Sequence, residues 1–345
     1  MENFFDQTFG RLEAAIGEMD PRPYRVDQVL RWVYRMAVDD FSLMTNMPGS
    51  LRGRLSESMD LRPMPLQKRV EADDGTIKFL YRLSDGELIE SVLIPEDGHN
   101  TLCVSTQAGC GMGCSFCETG TMGFRRNLSQ GEILAQIAYA VRYLGDRQLL
   151  RNLVFMGMGE PLLNLDALIP ALGVILDGRG FDFSPRRVTV STCGWVPGIR
   201  RLGKADLGVN LALSLNAADD KTRTSIMPVN RKYPLRAVMN SIREFPRRSR
   251  QRTTFEYVLM SGVNDSPEDA ARVVKLLRGI PCKVNIISYN LTSAGFLAPG
   301  YERMEWFQNL IGGSGQLATV RRSRGGDIGA ACGQLVTSAS ECAHG

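Results

Sequence analysis

Cys110-Gly111-Met112-Gly113-Cys114-Ser115-Phe116-Cys117 sets three cysteines at the spacing C-x3-C-x2-C, inside a glycine-rich stretch from Gly109 to Gly123. Thiolates this close in sequence can reach one metal centre. Two kinds of centre compete for them. A structural zinc ion takes four protein ligands in a tetrahedron. The nearest other cysteine is Cys103, and the chain has two histidines, His99 and His344. A [4Fe–4S] cube also has four corners to fill. Cys110, Cys114 and Cys117 would occupy three and leave one iron open to a substrate. The ligand count favours the cluster over a zinc knuckle.

Outward from this loop the pattern is strand, loop, helix, repeated. Leu102-Cys103-Val104 precedes the loop as a strand, and Ser129-Gln130-Gly131-Glu132 follows it as a capping box opening a helix through Leu144. Leu153 to Met156 reads as a second strand, with a helix from about Leu165 to Leu176. Val188 to Val190, Val209 to Leu215, Phe255 to Leu259 and Val284 to Ile287 supply four more strands. Strands alternating with helices predict an α/β fold with a parallel sheet. In such folds chemistry sits on loops at the carboxyl ends of the strands. The cluster loop, Gly159-Glu160, Ser191, Ser214 and Asn290 all fall there.

Upstream, residues 1–60 read as a small helical unit. Ile16, Val26, Val29, Leu30, Val33 and Met36 fall at helical spacings. Arg25, Arg31, Trp32 and Arg35 suit either an RNA grip or a packing helix with solvated arginines. Residues 61–100 change to a period of two, with turns at Asp73-Asp74-Gly75 and Asp85-Gly86, and predict a small antiparallel element. Glu90 lies in its last strand-like run; alone, it reads as a solvent-facing glutamate. Residues 101–311 hold the β/α core and 312–345 a C-terminal segment with Cys332. Small residues and Arg321, Arg322 and Arg324 flank Cys332, which suits a reactive thiol or an inert one.

Composition sets the wider bounds. The chain has 345 residues, 43% hydrophobic and 23% charged, as ordinary globular proteins have. No apolar run is long enough to span a membrane, and the acidic N-terminus lacks a signal-peptide start. A cytoplasmic location is expected. In that reducing compartment eight cysteines point to metal or redox chemistry over a disulfide framework. The net charge of +4 comes mostly from arginine, clustered at 247–252 and 321–324. Arginine forks suit phosphate, so an RNA partner competes with plain solvated surface as the reading.

Cys103 to Cys117 followed by Gly123-Phe124-Arg125-Arg126-Asn127-Leu128 is similar to the RlmN/Cfr family of radical S-adenosylmethionine (SAM) RNA adenine methyltransferases. Phe116, the aromatic before the last cysteine, belongs to that pattern. The likeness extends to Pro23–Val29, Asp74–Lys78, Glu90–Asp97, Gly157–Asn164 and Arg324–Leu335. It is nearer to the RlmN branch, which methylates adenine C2 in 23S ribosomal RNA and some transfer RNAs, than to Cfr, which methylates C8.

The resemblance implies a partial (β/α)6 radical-SAM barrel, with the N-terminal helical domain and short β extension attached. It implies a [4Fe–4S] cluster on Cys110, Cys114 and Cys117, and two SAM molecules per turnover. SAM would be held by Gly159, Glu160, Ser191, Ser214, Leu215, Asn216 and Asn290. Cys332 would carry the methyl group, Cys103 would resolve the adduct through a disulfide, and Glu90 would accept a proton. It also implies an electron donor of the flavodoxin or ferredoxin kind. A monomer without a membrane partner is expected. Asn216, Cys193, Leu291, Gly326 and Gly329 depart from the family pattern. A non-catalytic RNA-binding paralogue would need neither Cys103 nor Cys332.

Overall fold

The structure is a computed structural model and describes residues 1–62 and 64–337. His344 and residues 338–345 of the expected C-terminal segment lie outside the described residues. Helices α1 (Phe9–Met19), α2 (Tyr24–Leu30) and α3 (Gly49–Ser58) form the N-terminal unit. Its core is aromatic: Phe4, Phe5 and Phe9 all pack edge-on against Tyr34 or tilted beside it, and Tyr34 meets Phe181 of the next unit at 5.1 Å between ring centres. The unit is thus fastened to the outside of the main fold.

The main fold rests on one ten-stranded sheet: β1 (Leu66–Glu71), β2 (Ile77–Arg82), β3 (Leu88–Glu96), β4 (His99–Cys103), β5 (Leu150–Phe155), β6 (Val188–Thr192), β7 (Asn210–Ser214), β8 (Thr253–Leu259), β9 (Cys282–Ser288) and β10 (Leu317–Arg321). Spatial order equals chain order. Strands β1 to β4 pair antiparallel and β4 to β10 parallel. The expected small antiparallel element is therefore no separate body. It extends the parallel sheet through the pairing of Val92 with Cys103.

The first crossover carries the cluster loop and then α4 (Gln130–Leu144). The capping box forms as read: Ser129 accepts from the Glu132 amide and Glu132 answers at the Ser129 amide, while Gly145 in the left-handed region closes the far end. Further helices are α5 (Leu165–Leu176), α6 (Val196–Ala205), α7 (Leu235–Glu244), α8 (Pro267–Leu277) and α9 (Tyr301–Gly312). Alternation along the strands separates two faces. Tyr257 on β8 stacks on Phe307 of α9, whereas its neighbours Glu256 and Val258 line an interior cavity. That cavity holds the candidate site. Among the described residues no helix is long and apolar enough to cross a membrane.

Candidate functional site

Two short antiparallel strands, Gln107–Cys110 and Gly123–Asn127, form the base of the cysteine loop. Gly109 sits there at φ 70°, where a Cβ would fall 2.0 Å from the Gly123 carbonyl oxygen, so the turn demands glycine. Cys110 and Cys114 are buried and Cys117 half-buried. All three line one cavity of about 160 Å³, with Glu160, Ser191 and Cys332 among its other walls. Burial pushes the Cys110 thiol up to about 12 and raises the Cys114 and Cys117 thiols as well. Metal binding at these groups must displace protons. The three thiols thus surround one cavity, where they could hold a metal centre together.

The cavity's other walls come from the strand ends. Gly159 has φ 100° and packs on Gln107, where a Cβ would meet the side chain at 2.5 Å. Glu160 beside it is 3% exposed, and its carboxylate accepts from the Leu162 amide at 3.2 Å and the Cys193 amide at 2.8 Å. Burial raises its pKa despite those donors. Ser191 and Ser214 stand at the ends of β6 and β7 and line the same cavity. So does Asn216, held at φ 54°. Asparagine tolerates that backbone better than most residues. Its Oδ1 accepts from the Val258 amide, which ties the β7 end to β8. Leu215 is fully buried behind the wall and Asn290 also stands outside the lining. The Asn290 amide donates instead to the Cys332 carbonyl at 2.9 Å.

Cys332 sits where two cavities meet. It lines the one with the triad, and a smaller one of about 70 Å³ that also contains Cys103 and Arg321. Both are free thiols. Burial pushes Cys103 up to about 12, and burial raises the Cys332 thiol too, against the pull of Arg321, although the residue as a whole is exposed. Three regions clasp the Cys332 segment. The Glu118 amide and Thr119 hydroxyl, just after the triad, donate to the carbonyls of Gly333 and Leu335. Gln334 donates to the Leu291 carbonyl. On the β extension, Glu90 is 1% exposed, not solvent-facing as its isolated reading had it. It accepts from the Val336 amide at 3.1 Å and pairs with Lys78 at 2.9 Å. Glu90 lines neither cavity.

Residues 104–274 match the radical SAM superfamily, and residues 2–61 match the ribosomal RNA large subunit methyltransferase N-terminal domain. The dual-specificity RNA methyltransferase RlmN of Anaeromyxobacter dehalogenans is 49% identical over 94% of this chain and 89% of its own. That of Syntrophobacter fumaroxidans is 46% identical over 96% of this chain and 97% of its own. The chain belongs to the RlmN family. A radical SAM methyltransferase from Sphaerobacter thermophilus shares 43% identity and superposes with a TM-score of 0.91 over 97% of this chain and 99% of that one. The chain is accordingly a SAM-dependent radical methyltransferase with an RNA substrate, and the C8 alternative is not favoured.

Within this family site, Arg223 escaped the sequence reading. It lies in a polar run, Asp219 to Ser225, that looks like any solvated helix face. In the fold it is fully buried and reaches the carbonyls of Leu215 at 3.0 Å, Cys193 at 2.6 Å and Ser214 at 3.2 Å. One guanidinium fork thus fixes the ends of two cavity strands. The surface arginines divide differently. Arg247 donates to the Ile242 and Arg243 carbonyls at the α7 terminus. Arg248 pairs with Asp206 at 3.0 Å, while Arg250 and Arg252 line an open groove at the amino ends of β6 to β9. In the N-terminal unit, Arg25 is buried against Asp20 and Arg35 pairs with Asp182, so both serve packing.

Proposed function

We propose that the chain methylates C2 of an adenine in 23S ribosomal RNA, and in transfer RNA, and that the methyl group passes through Cys332. The position of Cys332 carries this reading: one thiol faces both the triad cavity and the Cys103 cavity. Adenine C2 is electron-poor and no nucleophile, so direct attack on a sulfonium methyl is closed to it. When bound on Cys110, Cys114 and Cys117, a [4Fe–4S] cluster supplies the one-electron cleavage of SAM that generates a radical.

The protein's own residues do the rest. Glu160, Ser191, Ser214 and Asn216 shape the wall for SAM. Cys332 takes a methyl from one SAM as a sulfur-bound group, and a second SAM serves to remove a hydrogen atom from that group. Cys332 then presents the resulting carbon to C2. Glu90 is read as acceptor of the C2 proton, reached through the segment it clasps. Once the adduct has also given up its unpaired electron, to the one-electron relay that cleaves SAM, attack by the Cys103 thiolate on the Cys332 sulfur breaks the sulfur–carbon bond, the released methylene takes up a proton to become the methyl group, and a disulfide remains. An external donor, of the flavodoxin or ferredoxin kind, restores the dithiol.

The test is methyl transfer from isotopically labelled SAM to ribosomal RNA fragments and transfer RNAs. Digested nucleosides are compared with 2-methyladenosine and 8-methyladenosine standards. Label in 2-methyladenosine is expected. Label in 8-methyladenosine alone, or none in either RNA, would contradict the reading.

A further inference from the structure

The cysteine loop is packed on two flanks. On one, the Glu118 amide donates to the Gly333 carbonyl at 2.7 Å, and Gly333 lies against the backbone of Phe116 and Cys117. That flank belongs to the Cys332 segment, whose smaller cavity is lined by Val92 of β3 and Arg321 of β10. On the other, the Ser115 amide donates to the Ile226 carbonyl at 3.0 Å, and Gly113 faces the Pro228 ring. Behind these contacts Cys114 shares an apolar cluster with Met227 and Val229. This second flank is the crossover after β7, with short helices at Asp220–Ile226 and Val229–Lys232. Since β7 is the central strand of β4 to β10, the crossover stands away from the edge strands that frame Cys332.

The outside of the crossover is basic. Lys221, Arg231, Lys232 and, at the start of α7, Arg236 are exposed, and none has an ion-pair partner among the described residues. The two carboxylates of the crossover are engaged within it. Asp219 accepts from the Thr222 amide, and Asp220 accepts from Asn230 and the Leu235 amide. Lys232 Nζ lies 4.7 Å from the Trp195 ring centre, and that ring meets Tyr233 edge-on. A cation–π contact steadies the charge without neutralising it. Exposed arginines elsewhere are paired, as Arg35 is with Asp182 and Arg201 with Asp166.

We propose that this basic face over the Gly113–Ser115 flank is the docking surface of the electron donor, a carrier protein with an acidic surface. This rests on the cluster reading of the triad. Each delivery moves one electron: the reduced carrier is oxidised by one, the cluster is reduced by one, and no bond forms or breaks. From the face inward, Val229 and Met227 make a packed apolar route to Cys114. RNA must bring its adenine to Cys332 and therefore takes the Gly333 flank. The crossover flank stays open meanwhile, so the carrier reaches the loop while RNA is bound. Unpaired cations around a stacked aromatic pair suit an acidic protein, because complementary charge speeds and orients encounter.

Binding and electron delivery are measured separately. A flavodoxin, as the acidic one-electron carrier, is titrated by calorimetry into anaerobically reconstituted enzyme. SAM cleavage is followed with photoreduced flavodoxin and, in parallel, with dithionite. The test variant is Arg231→Gln with Lys232→Gln. Arg250→Gln with Arg252→Gln removes equal charge at the other end of the strands. Iron content and melting temperature serve as controls of folding. The first variant is expected to bind flavodoxin about tenfold more weakly at low salt, and to cleave SAM correspondingly more slowly when flavodoxin is limiting. Its cleavage with dithionite should equal that of wild type. The second variant should bind flavodoxin as wild type does, and a saturating ribosomal RNA fragment should leave that affinity unaltered. Any of four results would overturn the placement: no flavodoxin binding to wild type, undiminished binding to the first variant, competitive displacement of flavodoxin by RNA, or loss of RNA affinity in the first variant, which would make the face an RNA site. Wild type that cleaves no SAM even with dithionite would instead overturn the cluster reading.

Discussion

The two mouths of the parallel sheet are built from opposite materials. At the carboxyl ends the wall is of buried thiols, two buried carboxyl groups and small polar side chains, braced from behind by one enclosed arginine. At the amino ends Arg186, Arg248, Arg250, Arg252 and Lys283 line an open groove of about 710 Å³ with no Asp or Glu in its wall. The first mouth removes its groups from water, where each hydrogen bond and charge acts strongly and at short range. The second leaves its charges hydrated, where they act weakly and salt screens them. The proposed chemistry belongs to the first mouth.

Removing a triad cysteine should break the contrast altogether. Cys114→Ala removes one of the three proposed cluster ligands, and Cys114 is among the buried members of the set. Cleavage of SAM to 5′-deoxyadenosine should fall to background, and iron and sulfide per chain should drop in anaerobically purified protein. Full cleavage by this variant would remove the cluster from Cys110, Cys114 and Cys117.

At the other mouth the expected effects are small. Replacing Arg250 and Arg252 by Gln should leave SAM cleavage as in wild type. The plot of log binding constant against log salt for a ribosomal RNA fragment should become shallower by about 1 to 2, one phosphate contact or so per arginine. An unchanged slope would return the groove to ordinary surface. Arg247 of the same cluster donates to the Ile242 and Arg243 carbonyls, which makes it a helix-end residue, so it is left out of this variant.

The same contrast shows what the sequence could carry. Local signals were readable because their physics is local. The Ser129 capping box and the helix Leu165–Leu176 stand where their residues placed them. Strand β10 was missed, since Leu317 to Arg321 is short and follows Gly312-Gly313-Ser314-Gly315, which reads as loop. It adds a seventh parallel strand to the six expected, and it aligns Thr319 with Asn285. Register between strands is set by packing, so this pairing had no sequence signature. Arg223 was hidden for the same reason: its partners are carbonyls of Leu215, Cys193 and Ser214, brought together by the sheet. The clasp on Cys332 joins Lys78, Glu90, Glu118 and Asn290, positions separated by up to two-thirds of the chain.

The central claim is that Cys332 carries the transferred carbon and Cys103 releases it, and the two single variants test it most directly. Each is incubated with SAM, reductant and an RNA fragment, then run on denaturing gels with and without nuclease, and the Cys332 peptide is weighed. Cys332→Ala has no sulfur to load and should yield neither methylated protein nor methylated RNA. Cys103→Ala should load Cys332 and bond it to the adenine, but it lacks the thiol that cleaves the bridge. Protein bound covalently to RNA through Cys332 should therefore accumulate in Cys103→Ala alone. Normal turnover by Cys103→Ala, or the same cross-link in Cys332→Ala, would contradict the account.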